Sequence, residues 1–379
     1  MADTAEELIS ELLLGTLEQV DLPPELQAGA DAAYEDVGLW MSDNLDEGDW
    51  HVYPQGSMRL GTVVRPSDDD EYDIDAVAKW GVDKETISQD ELKGVVGRAL
   101  ADYVEARSGD GKLAPTGCDE SRRCWTLTFN GPLHMDILPA IPDRKATPTG
   151  ILLPDRDLFR WQFSDPIAYS NWFYDRMAEQ VLEEKRALAK SAQVEVDDIP
   201  DWRVRTTLQR VVQVLKLHRN HYFAENTDFR PPSIIVTTLA AHTYRSGNRL
   251  YEAVMEAVAS MPGFIDRDGS RYILTNPVQQ QENFADMWGD DTHHAGMFFK
   301  WLNDLERTLE ESRATTSGLD KVVDRLGSRF GEAPMRKSAQ RLAASRTTAR
   351  TAGRLAVTGT GALGAFGSVK VRDHTFHGA

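Results

Sequence analysis

The stretch Tyr53–Trp80, "YPQGSMRLGTVVRPSDDDEYDIDAVAKW", decides how the chain is read. It runs from a Gln-Gly-Ser turn through an acidic tract into "EYDIDAVAKW", where polar and apolar residues alternate. A period of two predicts a strand with Tyr72, Ile74 and Ala76 on one face and Glu71, Asp73 and Asp75 on the other. Asp73 and Asp75 then point the same way, roughly 7 Å apart along the strand. Clustered carboxylates repel unless a cation lies between them. Hard oxygen ligands with no His or Cys beside them suit Mg2+ or Mn2+ better than zinc. A solvated strand face would carry the same spacing, so Asp-x-Asp alone does not decide. Glu71 shares the face and leaves Glu71 with Asp73 as a rival pair, although Asp73 and Asp75 lie deeper in the apolar run.

Two neighbouring features bear on those acids. "LHMDILPAI" (133–141) predicts another strand with a single acid, Asp136, in apolar surroundings. A buried, unpaired carboxylate there is costly, and a shared metal removes the cost. Upstream, Gln55, Gly56 and Ser57 offer backbone N–H groups and a small hydroxyl at a turn, which makes a short anion nest. No GxxxxGK[ST] loop occurs in the chain. The link from turn to strand is short, so phosphate cradle and acids are expected side by side.

Around this centre the pattern predicts helices over 5–20, 25–46 and 84–107. Strands are expected in "WHVYPQ" (50–55), 112–117, 122–130 and 133–141. From about 166 to 350 nearly everything reads helical, with breaks near 199, 231 and 262. The clearest helical seam is Trp202, Leu208, Val211, Val212, Leu215 and Tyr222. The spaced glycines of 353–379 suit a flexible tail. The expected organisation is α+β: a lobe with a mixed sheet over 1–160, a helical lobe over 161–350 with which the N-terminal helices pack, and a tail over 351–379.

At 379 residues, 41% hydrophobic and 27% charged, the chain is an ordinary globular sequence of one large or two smaller domains. Its net charge of −18 argues against a protein built to grip long nucleic acid, which needs a basic face. No apolar run approaches the ~20 residues that span a bilayer, and the N-terminus is acidic where a signal peptide is basic. Cys118 and Cys124 fit a reducing compartment as buried free thiols and are too few for a Cys-rich zinc site. A cytoplasmic protein without membrane attachment is expected. His293–His294 and the pair His374 and His377 are expected to be core or solvated side chains rather than metal ligands.

The ordered set "QGS", "DID" and "MD" resembles the polymerase-β-type nucleotidyltransferase signature. "LQRVVQVLKLHRNHYF", "RPPSIIVTTLAAHTY" and "TNPVQQQENFADMW" narrow the resemblance to the cGAS/DncV-like nucleotidyltransferases of bacterial CBASS antiphage systems, relatives of oligoadenylate synthases. The resemblance covers most of residues 50–300. It implies a polymerase-β-like catalytic lobe packed on an oligoadenylate-synthase-like helical lobe. It also implies a cyclic oligonucleotide synthase that joins NTPs into a cyclic di- or trinucleotide second messenger, which alone reaches a downstream effector. By the resemblance, Asp73 and Asp75 hold two Mg2+ ions, with Asp136 ligating one of them and helping to prepare the attacking hydroxyl. Gln55, Gly56 and Ser57 meet the donor phosphates, and Lys216 and Ser233 reach the triphosphate.

Ser233 follows Pro231-Pro232 and so is placed to open a helix whose N-terminus favours anions. The family often sets an aromatic after that serine, but Ile234 stands here, so base stacking is expected from Tyr53, Tyr244 or Phe284. Animal relatives grip double-stranded DNA with a His/Cys zinc insertion, which two cysteines cannot build, so no DNA partner is expected. Some systems of this kind join the synthase C-terminus to a target through a ubiquitin-transfer-like (E1/E2-like) partner, which marks Gly378 and Ala379 as a candidate conjugation terminus. An RNA-end or small-molecule nucleotidyltransferase, and a catalytically idle scaffold, are the rival readings.

Overall fold

The structure is a computed structural model of the chain. It describes all residues except 1–3, 46–48, 66–71, 110–113, 146–147, 156–159, 193–204, 248, 290–291, 316–317, 352–355, 358–362, 365–368 and 371–379. Glu71, Trp202, His374, His377, Gly378 and Ala379 therefore lie outside the described residues, as does most of the expected tail.

The chain opens with α1 (Ala5–Val20) and α2 (Pro24–Asn44), followed by β1 (Trp50–Gln55), the short α3 (Gly56–Leu60) and β2 (Tyr72–Trp80). Next come α4 (Gln89–Arg107), β3 (Pro115–Glu120), β4 (Trp125–Phe129), β5 (Leu133–Pro142), β6 (Ile151–Leu153) and β7 (Gln162–Ser164). A helical run follows as α5 (Pro166–Asp175), α6 (Ala178–Ala192), α7 (Thr207–Tyr222), α8 (Ser233–Thr243) and α9 (Leu250–Ser260). Short strands β8 (Asp266–Asp268), β9 (Arg271–Ile273), β10 (Thr275–Asn276) and β11 (Gln279–Asn283) precede α10 (Thr292–Arg313), α11 (Leu319–Phe330) and α12 (Glu332–Thr351).

The sheet has strand order β1-β2-β5-β4-β3, extended through β6 and β7 from the end of β5. β2 and β5 are parallel, and the other pairs are antiparallel. The sheet is therefore mixed, with the acid-bearing strands β2 and β5 as neighbours in its middle. Ile74, Ala76, Met135 and Ile137 face α2 and α4 and form one core with Val37, Met41, Val96 and Leu100. Gly97 lets α4 lie on β4, since a Cβ there would meet the Trp125 ring at 2.2 Å.

A second core is helical. α7 runs through it, and Leu208 through Asn220 are buried without a break. A capping box of Thr206 and Gln209 starts that helix. α1 packs on α9 and α12 in this second core, through Leu12, Leu13 and Leu17. α2 departs from the expectation that both N-terminal helices join the helical lobe. Its apolar stripe of Ala30, Ala33, Val37 and Met41 is covered by the sheet instead.

Other departures are local. β3 begins three residues later than read from the sequence, β6 and β7 were not anticipated, and Gly56 opens a short helix rather than a plain turn. Residues 266–283, expected to be helical, form two small antiparallel hairpins. The turn signals Gly269 and Asn276-Pro277 fall inside them.

Candidate nucleotidyl-transfer site

Parity along β2 turns Asp73 and Asp75 away from the core, while Ile74 and Ala76, both 0% exposed, anchor the other face. Parallel pairing sets Asp136 of β5 directly opposite Asp75. Adjacent strands lie about 4.8 Å apart, so the register brings the acids together. Ligand oxygens of Asp73, Asp75 and Asp136 all lie within 4.8 Å of one another, and this is the one such group among the described residues. His293 and His294 instead stand against the Phe229 ring.

The surroundings set the charge state. Burial first, and then Asp73 and Asp136, push the Asp75 carboxyl up to about 8. Burial also raises Asp136, opposed by a hydrogen bond from Thr126 Oγ1 at 2.5 Å. Asp73 meets the His134 Nε2 at 3.4 Å. The Tyr34 hydroxyl donates to the main-chain oxygen of Asp75 at 2.7 Å and pins the strand there. Behind the acids, burial and the nearby Asp136 push the Cys124 thiol up to about 12, which makes it an inert packing group. Like charge and burial together raise carboxyl pKa values, and a divalent cation relieves both. An all-carboxylate donor set fits a hard divalent cation, so these residues could hold a metal ion.

The Gln-Gly-Ser turn presses against this triad. Gly56 has φ +64, and a Cβ on it would stand 2.0 Å from Asp75 Oδ2, so only glycine fits. Gln55, Gly56, Ser57, Asp73, Asp75, Lys216 and Ser233 all line one cleft between the two cores, with a cavity of about 480 Å³. Asp136 sits beside Asp75 on the neighbouring strand and is not among the residues that line the cavity.

Lys216 is buried, and its Nζ donates to the Thr62 carbonyl at 3.1 Å and to Thr62 Oγ1 at 3.3 Å. Burial pushes its amine down to about 7, with Arg219 adding and Asp75 and Asp73 opposing. Ser233 is the first residue of α8, and Pro232 takes the N-cap position. Its hydroxyl accepts from Arg219 Nη1 at 2.9 Å. Arg219 also donates to Pro231 O and Asn220 Oδ1. No carboxylate among the described residues pairs with it, and burial lowers its pKa to about 9. Arg219 thus holds positive charge behind Ser233 with no paired carboxylate, while Lys216 meets the cleft as an amine that an anion can charge.

Of the three aromatics considered for base stacking, Phe284 lines the cavity. Tyr53 is packed with Val77, and Tyr244 donates its hydroxyl to Gln180 at 2.7 Å, so neither lines the cavity. Sequence reasoning missed one wall altogether. It is the β10–β11 hairpin, which contributes Asn276, Gln281, Glu282 and Asn283. The Asn-Pro turn in "TNPVQQQEN" was the signal that could have found it.

Residues 51–139 match the family described as "Cyclic GMP-AMP synthase DncV-like, nucleotidyltransferase domain". The chain is 26% identical to a c-di-GMP synthase of Roseivirga ehrenbergii over 100% of its own length and 99% of that protein. It is also 26% identical to the cyclic dinucleotide synthase CdnG of Bradyrhizobium diazoefficiens, over 89% of this chain and 83% of that one. The solved structure of that CdnG in complex with GTP superposes with a TM-score of 0.70 at 24% identity, covering 88% of this chain and 99% of the other. With the acid triad carried on strands of the matched segment, residues 51–139 are similar to the DncV-like nucleotidyltransferase domain, and the chain as a whole is similar to cyclic dinucleotide synthases.

Proposed function

We propose that the protein is a cyclic oligonucleotide synthase that joins NTPs into a cyclic di- or trinucleotide second messenger for antiphage defence. The observation that carries it is the meeting of Asp73, Asp75 and Asp136 within 4.8 Å, hard against the Gly56 turn of a nucleotide-sized cleft. Similarity to two cyclic dinucleotide synthases, over 99% and 83% of their lengths, supports the product class. Two Mg2+ ions, or Mn2+, held by the three aspartates would supply Lewis-acid activation of an attacking ribose hydroxyl and neutralise charge on the reacting phosphates.

The chain's own residues position the reactants. Backbone N–H groups at Gln55–Ser57 cradle the donor phosphates, and Lys216 with Ser233 closes on the triphosphate from the helical side. Asp136, hydrogen-bonded by Thr126, keeps a fixed orientation beside Asp75. No helix among the described residues is long and apolar enough to cross a membrane, and a cytoplasmic site beside the NTP pool fits the free thiols. The lobes are assigned to 1–160 and 161–350, with Gly378 and Ala379 offered to an E1/E2-like partner. An adduct on Ala379 in mass spectra of protein isolated with such a partner tests that last assignment.

The deciding experiment incubates purified protein with α-labelled NTPs and Mg2+, followed by phosphatase and mass spectrometry. A phosphatase-resistant cyclic product is expected. Labelled RNA ends or a modified small molecule would replace the proposal with another nucleotidyl transfer. No product from any NTP mixture, even with phage lysate added, would leave a scaffold.

A further inference from the structure

The cleft wall made by β10 and β11 carries a carboxylate that the metal chemistry does not use. Glu282 lines the same cavity as Asp75. Its Oε2 accepts from Asn276 Nδ2 at 2.7 Å, and its Oε1 accepts from the Ser164 hydroxyl at 3.4 Å. Asn276 is itself fixed, because its Oδ1 accepts the Val278 N–H at 3.0 Å and so commits the amide nitrogen to Glu282. Asn283 Oδ1 accepts from the N–H groups of both Leu274 and Ala285, which ties down the rest of the hairpin.

No Lys, Arg or His among the described residues forms an ion pair with Glu282. Burial raises its carboxyl to about 7, Arg123 acts favourably from farther off, and Asp286 opposes it. A carboxylate held rigid, short of a cation and open to a cavity is costly in the free protein. It is suited to a ligand that brings its own donors. Each oxygen has one donor from the protein and a second acceptor site left.

Two adjacent acceptors select strongly among bases. On the Watson–Crick edge, guanine presents two neighbouring donors, N1–H and the 2-amino group. Adenine sets one donor beside an acceptor, cytosine does the same, and uracil has one donor between two acceptors. Phe284, two residues on, lines the same cavity and adds an apolar surface. On the reading of the protein as a nucleotidyltransferase, we infer that Glu282 determines base specificity by accepting the N1–H and 2-amino hydrogens of a bound guanine nucleotide. Asn276 and Ser164 act as positioning residues that hold the carboxylate edge-on to the base.

The test is binding, so that turnover does not enter. Isothermal titration with α,β-methylene analogues of GTP, ITP and ATP, in Mg2+, ranks the bases. ITP lacks only the 2-amino group. Wild type is expected to bind the GTP analogue about 10- to 100-fold more tightly than the other two, the range of one bidentate contact. Glu282→Gln replaces two acceptors by an acceptor and a donor. It is expected to lose most of the guanine preference and to gain affinity for the ATP analogue, whose edge then matches the amide. An unchanged melting temperature and unchanged tripolyphosphate binding establish that the variant is folded. Equal binding of the three analogues by wild type overturns the inference without any variant. So does a guanine preference that survives in Glu282→Gln, or a variant whose only change is in discrimination against 2′- or 3′-deoxy forms, since the contact would then be to ribose. Failure to form a cyclic product from any NTPs would remove the proposed function but leave this ranking intact. Equal binding with cyclic product retained would remove only the role of Glu282.

Discussion

Asp75 is held in a state that the metal-free protein tolerates poorly. Its carboxyl titrates near 8 in the fold, against 3.8 as its ordinary value, because burial and the two other acids oppose its charge. Between those values the folded state binds the proton and the unfolded state does not. Stability contributed by this group is therefore present at about pH 4 and is lost as pH rises toward 8. Asp75→Asn removes the charge while keeping the shape. In chelator, the variant is expected to melt higher than wild type at pH 8, by roughly 2–5 °C, and equal to it at pH 4. Adding Mg2+ at pH 8 should raise the wild-type midpoint and close that gap. Turnover should fall at least about 10³-fold, since several kcal/mol of charge stabilisation go with the ligand. A gap that does not change with pH would show that ionisation of Asp75 does not cause it.

Lys216 offers a second titration, of opposite sign. Burial brings its amine to about 7, so at pH 8 it is mostly neutral in the free protein. A polyphosphate beside it favours the ammonium form and raises the pKa, so binding takes up as much as one proton. The apparent binding enthalpy should then differ between Tris and phosphate buffers in proportion to their ionisation enthalpies. Lys216→Met should abolish that buffer dependence. Identical enthalpies for wild type in both buffers would place the amine away from the phosphates.

The elements show why some of this was legible and some was not. The alternation of "YDIDAV" gives strand, face and acids at once, because each decision is local. Asp136 was legible as a lone acid in an apolar strand, and pairing with β2 then fixes its partner. α7 was legible as an apolar seam carrying Lys216, but not in its other polar contacts. Its polar residues find partners far away in sequence: Gln209 donates to the Leu60 carbonyl and Gln213 to that of Val63, while Arg210 pairs with Asp21. That polar side clamps the segment that follows the Gly56 turn, so α7 orients the phosphate cradle as well as supplying Lys216. Short polar strands such as β10 and β11 have no apolar period, and their existence depends on packing against β7. Gln213→Ala leaves the buried Val63 carbonyl unsatisfied. It should cost about 1–3 kcal/mol in denaturant unfolding and loosen the turn. Gly56→Ala is expected to cost about 1–2 kcal/mol for a side chain at positive φ and to remove turnover, because its methyl would displace the Asp75 carboxylate. Retained activity in that variant would mean the turn can shift without disturbing the acids.

Over the whole molecule, a net charge of −18 surrounds a cleft that takes an anion. The contradiction is resolved locally. Arg59, Arg123, Arg160 and Arg271 line the same cavity as Asp73 and Asp75, so positive charge is concentrated where phosphates enter. Arg123 also links the two sides, donating to Asp155 at 2.7 Å and reaching Asp286 at 3.5 Å. The aspartates repel a triphosphate until a divalent cation neutralises them. Chelation is therefore expected to weaken GTP binding at least about 10-fold as well as to stop turnover, measured by titration in EDTA against Mg2+. The acidic exterior has the opposite consequence for polynucleotides. Double-stranded DNA needs a continuous run of cations to release its counterions, and a few arginines inside a cleft do not provide one. Addition of long double-stranded DNA should leave turnover unchanged and give no mobility shift at 150 mM salt. A several-fold stimulation, or a shift that weakens steeply with salt, would overturn this expectation.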